Sequence, residues 1–169
     1  HASHAAGGYF TSGFDDAAIL VIDAIGEETT TSIWEGRGNK IKKKWDLRYP
    51  HSLGLFYSAI TQLVGLKPNE EEYILMGMAA YGDSEQAESL AQYMMMEYYK
   101  SPDSLQQTFN FHKGIHHDDV LNAAAASEDG RFALALAAQR IAEHYISMLM
   151  KQASDLVDSP NLVYSGGVA

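Results

Sequence analysis

Ala17-Ala18-Ile19-Leu20-Val21-Ile22-Asp23 is an unbroken apolar run that stops at a carboxylate. A strand with one wet face alternates polar and apolar residues. This run does not, so it reads as a strand buried on both faces. Working outward, Thr29 to Trp34 is β-branched and alternating, and Lys40 to Leu47 can pair with it across Gly36-Arg37-Gly38-Asn39. The three segments predict an antiparallel meander. Upstream, residues 1–12 are rich in Ala and read as the end of a helix closed by Ser12-Gly13.

Past the meander the period changes to helical. Leu53, Phe56, Tyr57, Ile60 and Val64 share a face, with Ser52 as cap and Gly65 as stop. Glu70 to Tyr81 and Gln86 to Tyr99 predict two further helices, the second carrying Met94-Met95-Met96 as core filler rather than a metal box. Residues 100–130, with Pro102, several Asp and Asn, and His112, His116 and His117, predict an irregular or partly helical segment. Arg131 to Val157 reads as a long helix ended by Asp158-Ser159-Pro160, and Asn161 to Ser165 as a returning strand. Meander, helices and returning strand make an α/β class with a mixed sheet, the order expected of a ribonuclease-H-like half-domain.

A chain of 169 residues, 46% hydrophobic, supports one domain with a real core. It opens without Met and closes inside a glycine turn, so a fragment of a longer polypeptide is expected. Cysteine is absent, which removes disulfides and thiolate chemistry and suggests a reducing, cytoplasmic setting. No stretch reaches the roughly 20 apolar residues of a membrane span, and the start lacks the basic and apolar regions of a leader. The formal charge of −10 opposes polyanions, so no nucleic-acid partner is expected. Arg37, Lys40, Lys42, Lys43, Lys44 and Arg48 form a local exception, either a phosphate-attracting patch or a solvated strand edge whose lysines block pairing.

Five features bear on chemistry. Asp23, at the end of a buried strand, must be solvated, paired or metal-bound; an Asp capping its own turn is the structural alternative. The loop that follows offers the Gly26 amide and the Thr29 hydroxyl to a phosphate. His1 and His4 project from nearly the same helix face, a spacing compatible with one cation if a carboxylate such as Asp23 completes the set. The terminal Val163-Tyr164-Ser165-Gly166-Gly167-Val168-Ala169 is a strand ending in two glycines, which lets backbone amides approach a nucleotide and equally serves a plain turn. The cluster His112, His116, His117, Asp118 and Asp119 contains ligand types, and a solvated loop is its ordinary explanation.

Five blocks occur in a specific order: His1 to Phe14, Val21 to Glu27, Pro50 to Ala59, Glu72 to Gly82, and Ser165 to Ala169. In that order the chain resembles carbamoyltransferases of the nodulation and antibiotic-biosynthesis type (NodU/CmcH). Residues 84–130 hold no matching block and read as an insertion. The resemblance implies half of an actin-like ATPase (ASKHA) fold. It also implies a two-step biosynthetic reaction, in which carbamoyl phosphate and ATP give a carbamoyl-adenylate and the carbamoyl group passes to a hydroxyl of a small-molecule acceptor.

The resemblance also implies a divalent metal, typically iron, held by two histidines four apart on a helix, a strand-end Asp and a later Asp. His4 matches the second histidine and Asp23 the strand-end Asp. The first histidine would fall one residue before His1, and the later Asp after Ala169. An isolated fragment is therefore expected to be inactive and to need the rest of its polypeptide as partner. By resemblance Gly166 and Gly167 line the adenosine pocket, Gly26 and Thr29 face the phosphates, and Glu72 and Gly77 lie on the nucleotide-side helix. Ile74 stands where the family often has Lys. Two other classes stay open: another actin-like enzyme, such as a sugar kinase or the relative that transfers threonylcarbamoyl to tRNA, and a nucleotide-binding module without catalysis.

Overall fold

A computed structural model describes all 169 residues. The chain divides into two compact units, His1–Gly54 with Tyr145–Ala169, and Leu55–His144.

The first unit opens with helix α1 (Ala2–Ser12), closed by Gly13 in the left-handed conformation. Strands β1 (Asp16–Gly26), β2 (Thr29–Arg37) and β3 (Lys40–Arg48) form the meander. Arg37 pairs with Lys40, so only Gly38 and Asn39 turn the second hairpin, and Gly36 belongs to β2 rather than to the turn expected there. β6 (Leu162–Ser165) returns parallel to β1 with Ile19 opposite Val163, giving the sheet order β3-β2-β1-β6. The sheet is therefore mixed. β1 lies inside it, and its residues from Ala17 to Asp23 are all buried. Ala17, Ile19 and Val21 pack with Ala5 and Tyr9 of α1 and with Val163, while Trp34 and Ile41 flank this core.

β3 is an edge strand, and Lys43, Lys44 and Arg48 on it lie beside carboxylates while Lys40 and Lys42 are exposed. Lys43 lies 2.5 Å from Asp46, Lys44 lies 3.4 Å from Glu35, and Arg37 of β2 lies 3.1 Å from Glu35. The basic stretch is thus the charged edge of the two readings, with carboxylates beside it.

The second unit takes most of α2 (Leu53–Leu63), whose end is marked by Gly65 at φ 91°. α3 (Glu72–Met78) runs on into a 3₁₀ turn, Ala79–Tyr81. α4 (Ser84–Tyr98) is capped by Asp83, which accepts from the Gln86 amide. Of the three consecutive methionines only Met94 is fully buried, and Met96 is 83% exposed, so the core-filler expectation holds for the first alone. The segment predicted to be irregular contains a short hairpin, β4 (Tyr99–Ser101) and β5 (Ser104–Gln107), turned at Pro102-Asp103, then α5 (Asp119–Ala125). α6 (Glu128–Leu156) is one 29-residue helix that begins in the second unit and ends in the first. Phe56, Tyr99, Tyr98, Phe109 and Phe111 form an aromatic core in the second unit, edge-to-face except for the tilted Tyr98–Phe109 pair.

Candidate functional site

Side chains alternate along β1, so Asp23 follows Ala17, Ile19 and Val21 on the face that α1 covers. That register carries a carboxylate under the first turn of α1. Asp23 is 8% exposed, and its charge is met from three directions. Oδ1 accepts a 2.5 Å hydrogen bond from the Gly167 amide. Oδ2 lies 3.5 Å from His4 Nε2 and 3.6 Å from His1 Nε2. Two ligand bonds of about 2.0–2.3 Å each would span the His4–Asp23 separation, so these two atoms can reach one cation. No set of three or more His, Cys, Asp or Glu side chains is grouped to hold a metal by itself.

The two histidines differ. The His4 side chain is 52% exposed, whereas that of His1 is 5% exposed and wedged against β1 and β2. A Cβ on Gly26 would fall 2.4 Å from His1 Cδ2, so a glycine there makes room for the ring. His1 Nδ1 lies 2.9 Å from Ser32 Oγ, which accepts from Trp34 Nε1 at 2.8 Å. His1 Nε2 is buried with no hydrogen-bond partner.

The Gly166-Gly167 turn closes over the end of β1. Gly166 sits at φ 113°, and a Cβ there would meet the Ile22 carbonyl oxygen at 2.3 Å, so both conformation and space require glycine. The Val168 amide donates to the same oxygen at 3.1 Å. Ser165 Oγ donates to the His4 carbonyl at 3.1 Å, tying α1 to β6. Tyr164 donates to the Val168 carbonyl at 2.9 Å, and burial pushes its hydroxyl pKa up to about 12. The Gly167 amide therefore serves Asp23 directly, and the glycine turn and the carboxylate form one hydrogen-bonded structure.

Gly26 and Thr29 are paired with each other at the β1–β2 connection, where Glu27 takes a positive φ of 62°. In the second unit Glu72 Oε1 accepts from the Ser58 hydroxyl and from the Asn69 amide, both at 2.6 Å. Gly77 is on an exposed face of α3 with no neighbour in reach of a Cβ. Tyr57, which donates to Gln139 at 3.0 Å, has its pKa raised to about 12, by burial first and then by the charges of Glu72 and Glu143.

The histidine-rich segment has a structural role. Asp118 caps α5 through the Leu121 amide at 2.9 Å and accepts from the hydroxyls of Tyr93, at 3.0 Å, and Tyr98. Burial opposes its ionisation, but hydrogen bonds from Tyr98, Leu121, Tyr93 and Val120 outweigh burial and hold the carboxyl below its ordinary range. His117 stacks on Phe109 at 4.7 Å.

The description of the Carbamoyltransferase N-terminus family matches residues 1–169, the whole chain. The chain belongs to that family. An uncharacterized protein of Synechocystis, sll1178, is 53% identical over 83 residues, 49% of this chain and 14% of its own length. Nodulation protein NolNO of Sinorhizobium fredii is 35% identical over 83 residues, 49% of this chain and 12% of its own. The uncharacterized protein MJ1051 of Methanocaldococcus jannaschii is 26% identical over 165 residues, 94% of this chain and 31% of its own. The matched region is thus less than a third of each of these relatives.

Within this Carbamoyltransferase N-terminus chain, the residue that sequence reasoning undervalued is His1. Read from spacing as a cation partner of His4, and by resemblance as the neighbour of a ligand, it is the most enclosed imidazole of the site. Ser32 and Trp34, two apart and therefore on one face of β2, carried the signal in their alternation.

Proposed function

We propose that this chain is the amino-terminal part of the catalytic unit of an ATP-dependent carbamoyltransferase. The observation that carries the reading is the match of all 169 residues to the Carbamoyltransferase N-terminus family. The sheet order, with three antiparallel strands and then β6 parallel to β1, supports a ribonuclease-H-like half of an actin-like ATPase fold. In the proposed first step carbamoyl phosphate, ATP and one water yield carbamoyl-adenylate, pyrophosphate and phosphate. In the second the acceptor hydroxyl attacks the carbamoyl carbon, its proton is lost and AMP leaves.

His4 and Asp23 would hold a divalent ion, iron by resemblance, together with ligands from the rest of the polypeptide. A buried carboxylate facing an imidazole at 3.5 Å fits such an ion in donor chemistry. When bound, the ion supplies positive charge against phosphate oxygens. The chain's own residues do the rest. Gly167 fixes the Asp23 carboxylate through its amide. Gly166 keeps the turn low over β1 and free of side chain, leaving backbone surface for adenosine. Gly26 and Thr29 lie at the connection that would face the phosphates, and Glu72 and Gly77 sit on the helix assigned to the nucleotide side.

The test is pyrophosphate release from ATP by the full-length protein. Release that depends on carbamoyl phosphate supports the first step. ATP cleavage that ignores carbamoyl phosphate overturns it.

A further inference from the structure

Four side chains form a line beneath α1: Trp34, Ser32, His1 and Asp23. Its two ends have fixed polarity. Trp34 Nε1 only donates, and an ionised carboxylate only accepts. Ser32 Oγ, 0% exposed as a residue, receives the indole N–H at 2.8 Å and faces His1 Nδ1 at 2.9 Å. His1 Nε2 faces Asp23 Oδ2 at 3.6 Å, a little beyond a hydrogen bond.

Of the two neutral tautomers, one pairs Ser32 and Nδ1 and turns a donor rather than a lone pair toward the Asp23 carboxylate. With the proton on Nδ1, Ser32 would accept twice, and the bare lone pair of a buried Nε2 would point at an anionic oxygen. With the proton on Nε2, Trp34 donates to Ser32, Ser32 donates to Nδ1, and Nε2–H points at Asp23. The cost of the first arrangement is a buried, unpartnered acceptor beside a charge, which a side chain with 5% exposure cannot relieve through water.

We propose that His1 is a positioning residue: it holds Asp23 through an Nε2–H proton, and Ser32 and Trp34 set that tautomer. The inference rests on Asp23 being the carboxylate of the proposed site. It does not depend on which group the enzyme transfers. With Gly167 on Oδ1 and His1 on Oδ2, the carboxylate is oriented from both sides before any cation arrives, and His4 is left as the imidazole free to ligate. Such outer partners commonly change metal affinity by about 10- to 100-fold. The Gly26 notch completes the device, since any Cβ there would displace the ring.

The experiment is long-range proton–nitrogen NMR on the metal-free full-length protein labelled in histidine nitrogen, with His1→Gln used to assign the resonance. The expected result is a neutral ring with its proton on Nε2 in the wild type, and loss of that preference in Ser32→Ala. Titration with Mn²⁺ alone should then show about 10- to 100-fold weaker binding for Ser32→Ala, with His1→Gln, which keeps a donor for Asp23, less affected than His1→Ala. A proton on Nδ1, a doubly protonated ring at neutral pH, or a tautomer indifferent to Ser32 would overturn the proposal. The wild-type spectrum decides the tautomer even if a variant fails to fold. Absence of carbamoyl transfer would leave the NMR result untouched, so the two readings fail separately.

Discussion

The Gly167 amide hydrogen-bonds Asp23 Oδ1 at 2.5 Å across 144 residues of chain. A Cβ at Gly167 would sit 3.1 Å from the same oxygen. Gly167→Val in the full-length protein should therefore weaken both ATP and Mn²⁺ binding. Calorimetry measures each ligand separately, and a loss confined to ATP would show that the turn and the carboxylate act independently.

Asp23→Asn keeps an acceptor for the Gly167 amide and removes the charge. Turnover should fall by at least the 10- to 100-fold that outer partners cost, while the denaturation midpoint stays close to wild type. Steady-state rates beside a denaturation curve check both halves of this expectation.

Gly166→Ala should destabilise the fold by about 1–3 kcal/mol or more. The left-handed backbone alone accounts for that range, and the Ile22 carbonyl leaves no room for the methyl group. Gly77→Ala, at an open helical position, should be neutral or stabilising by about 0.5–1 kcal/mol. Urea denaturation of the two variants side by side makes the comparison.

Asp118 ties acid stability to the second unit. Its folded pKa lies below the unfolded value because Tyr98, Leu121, Tyr93 and Val120 donate to the carboxylate and outweigh the effect of burial. A depressed carboxyl pKa contributes stability that is fully present above the unfolded value of about 3.9 and is lost as pH falls through the folded one. Stability should thus drop below about pH 4, and Asp118→Asn should flatten that part of the profile while lowering stability at pH 7. Denaturation midpoints across pH 2–7 give the slope.

Much of this was legible in the sequence. The run Ala17–Ile22, the β-branched segment after it and the Ala-rich start placed β1, β2 and α1, because burial on both faces and helical period leave distinct patterns. Strand-end position singled out Asp23 and helix spacing paired His4 with His1, while the choice of His4 and Asp23 as ligands came from the family resemblance; the two lie 3.5 Å apart. The hairpin of β4 and β5 was missed because Lys100-Ser101-Pro102-Asp103-Ser104 announces a turn while its flanks lack β-branched residues. The Gly167–Asp23 bond and the Trp34-Ser32-His1 line were beyond reach for another reason: each joins residues far apart in the chain, and only the register of β1 with β2 and β6 brings them together.

The most direct test of carbamoyl transfer is mass spectrometry of the full-length protein incubated with isotopically labelled carbamoyl phosphate, ATP and a panel of small hydroxyl compounds. The expected product is an acceptor that carries the labelled carbamoyl group on oxygen, formed only when ATP is present and lost in Asp23→Asn. A phosphorylated acceptor in its place, or carbamoylation that proceeds without ATP, would contradict ATP-dependent carbamoyl transfer.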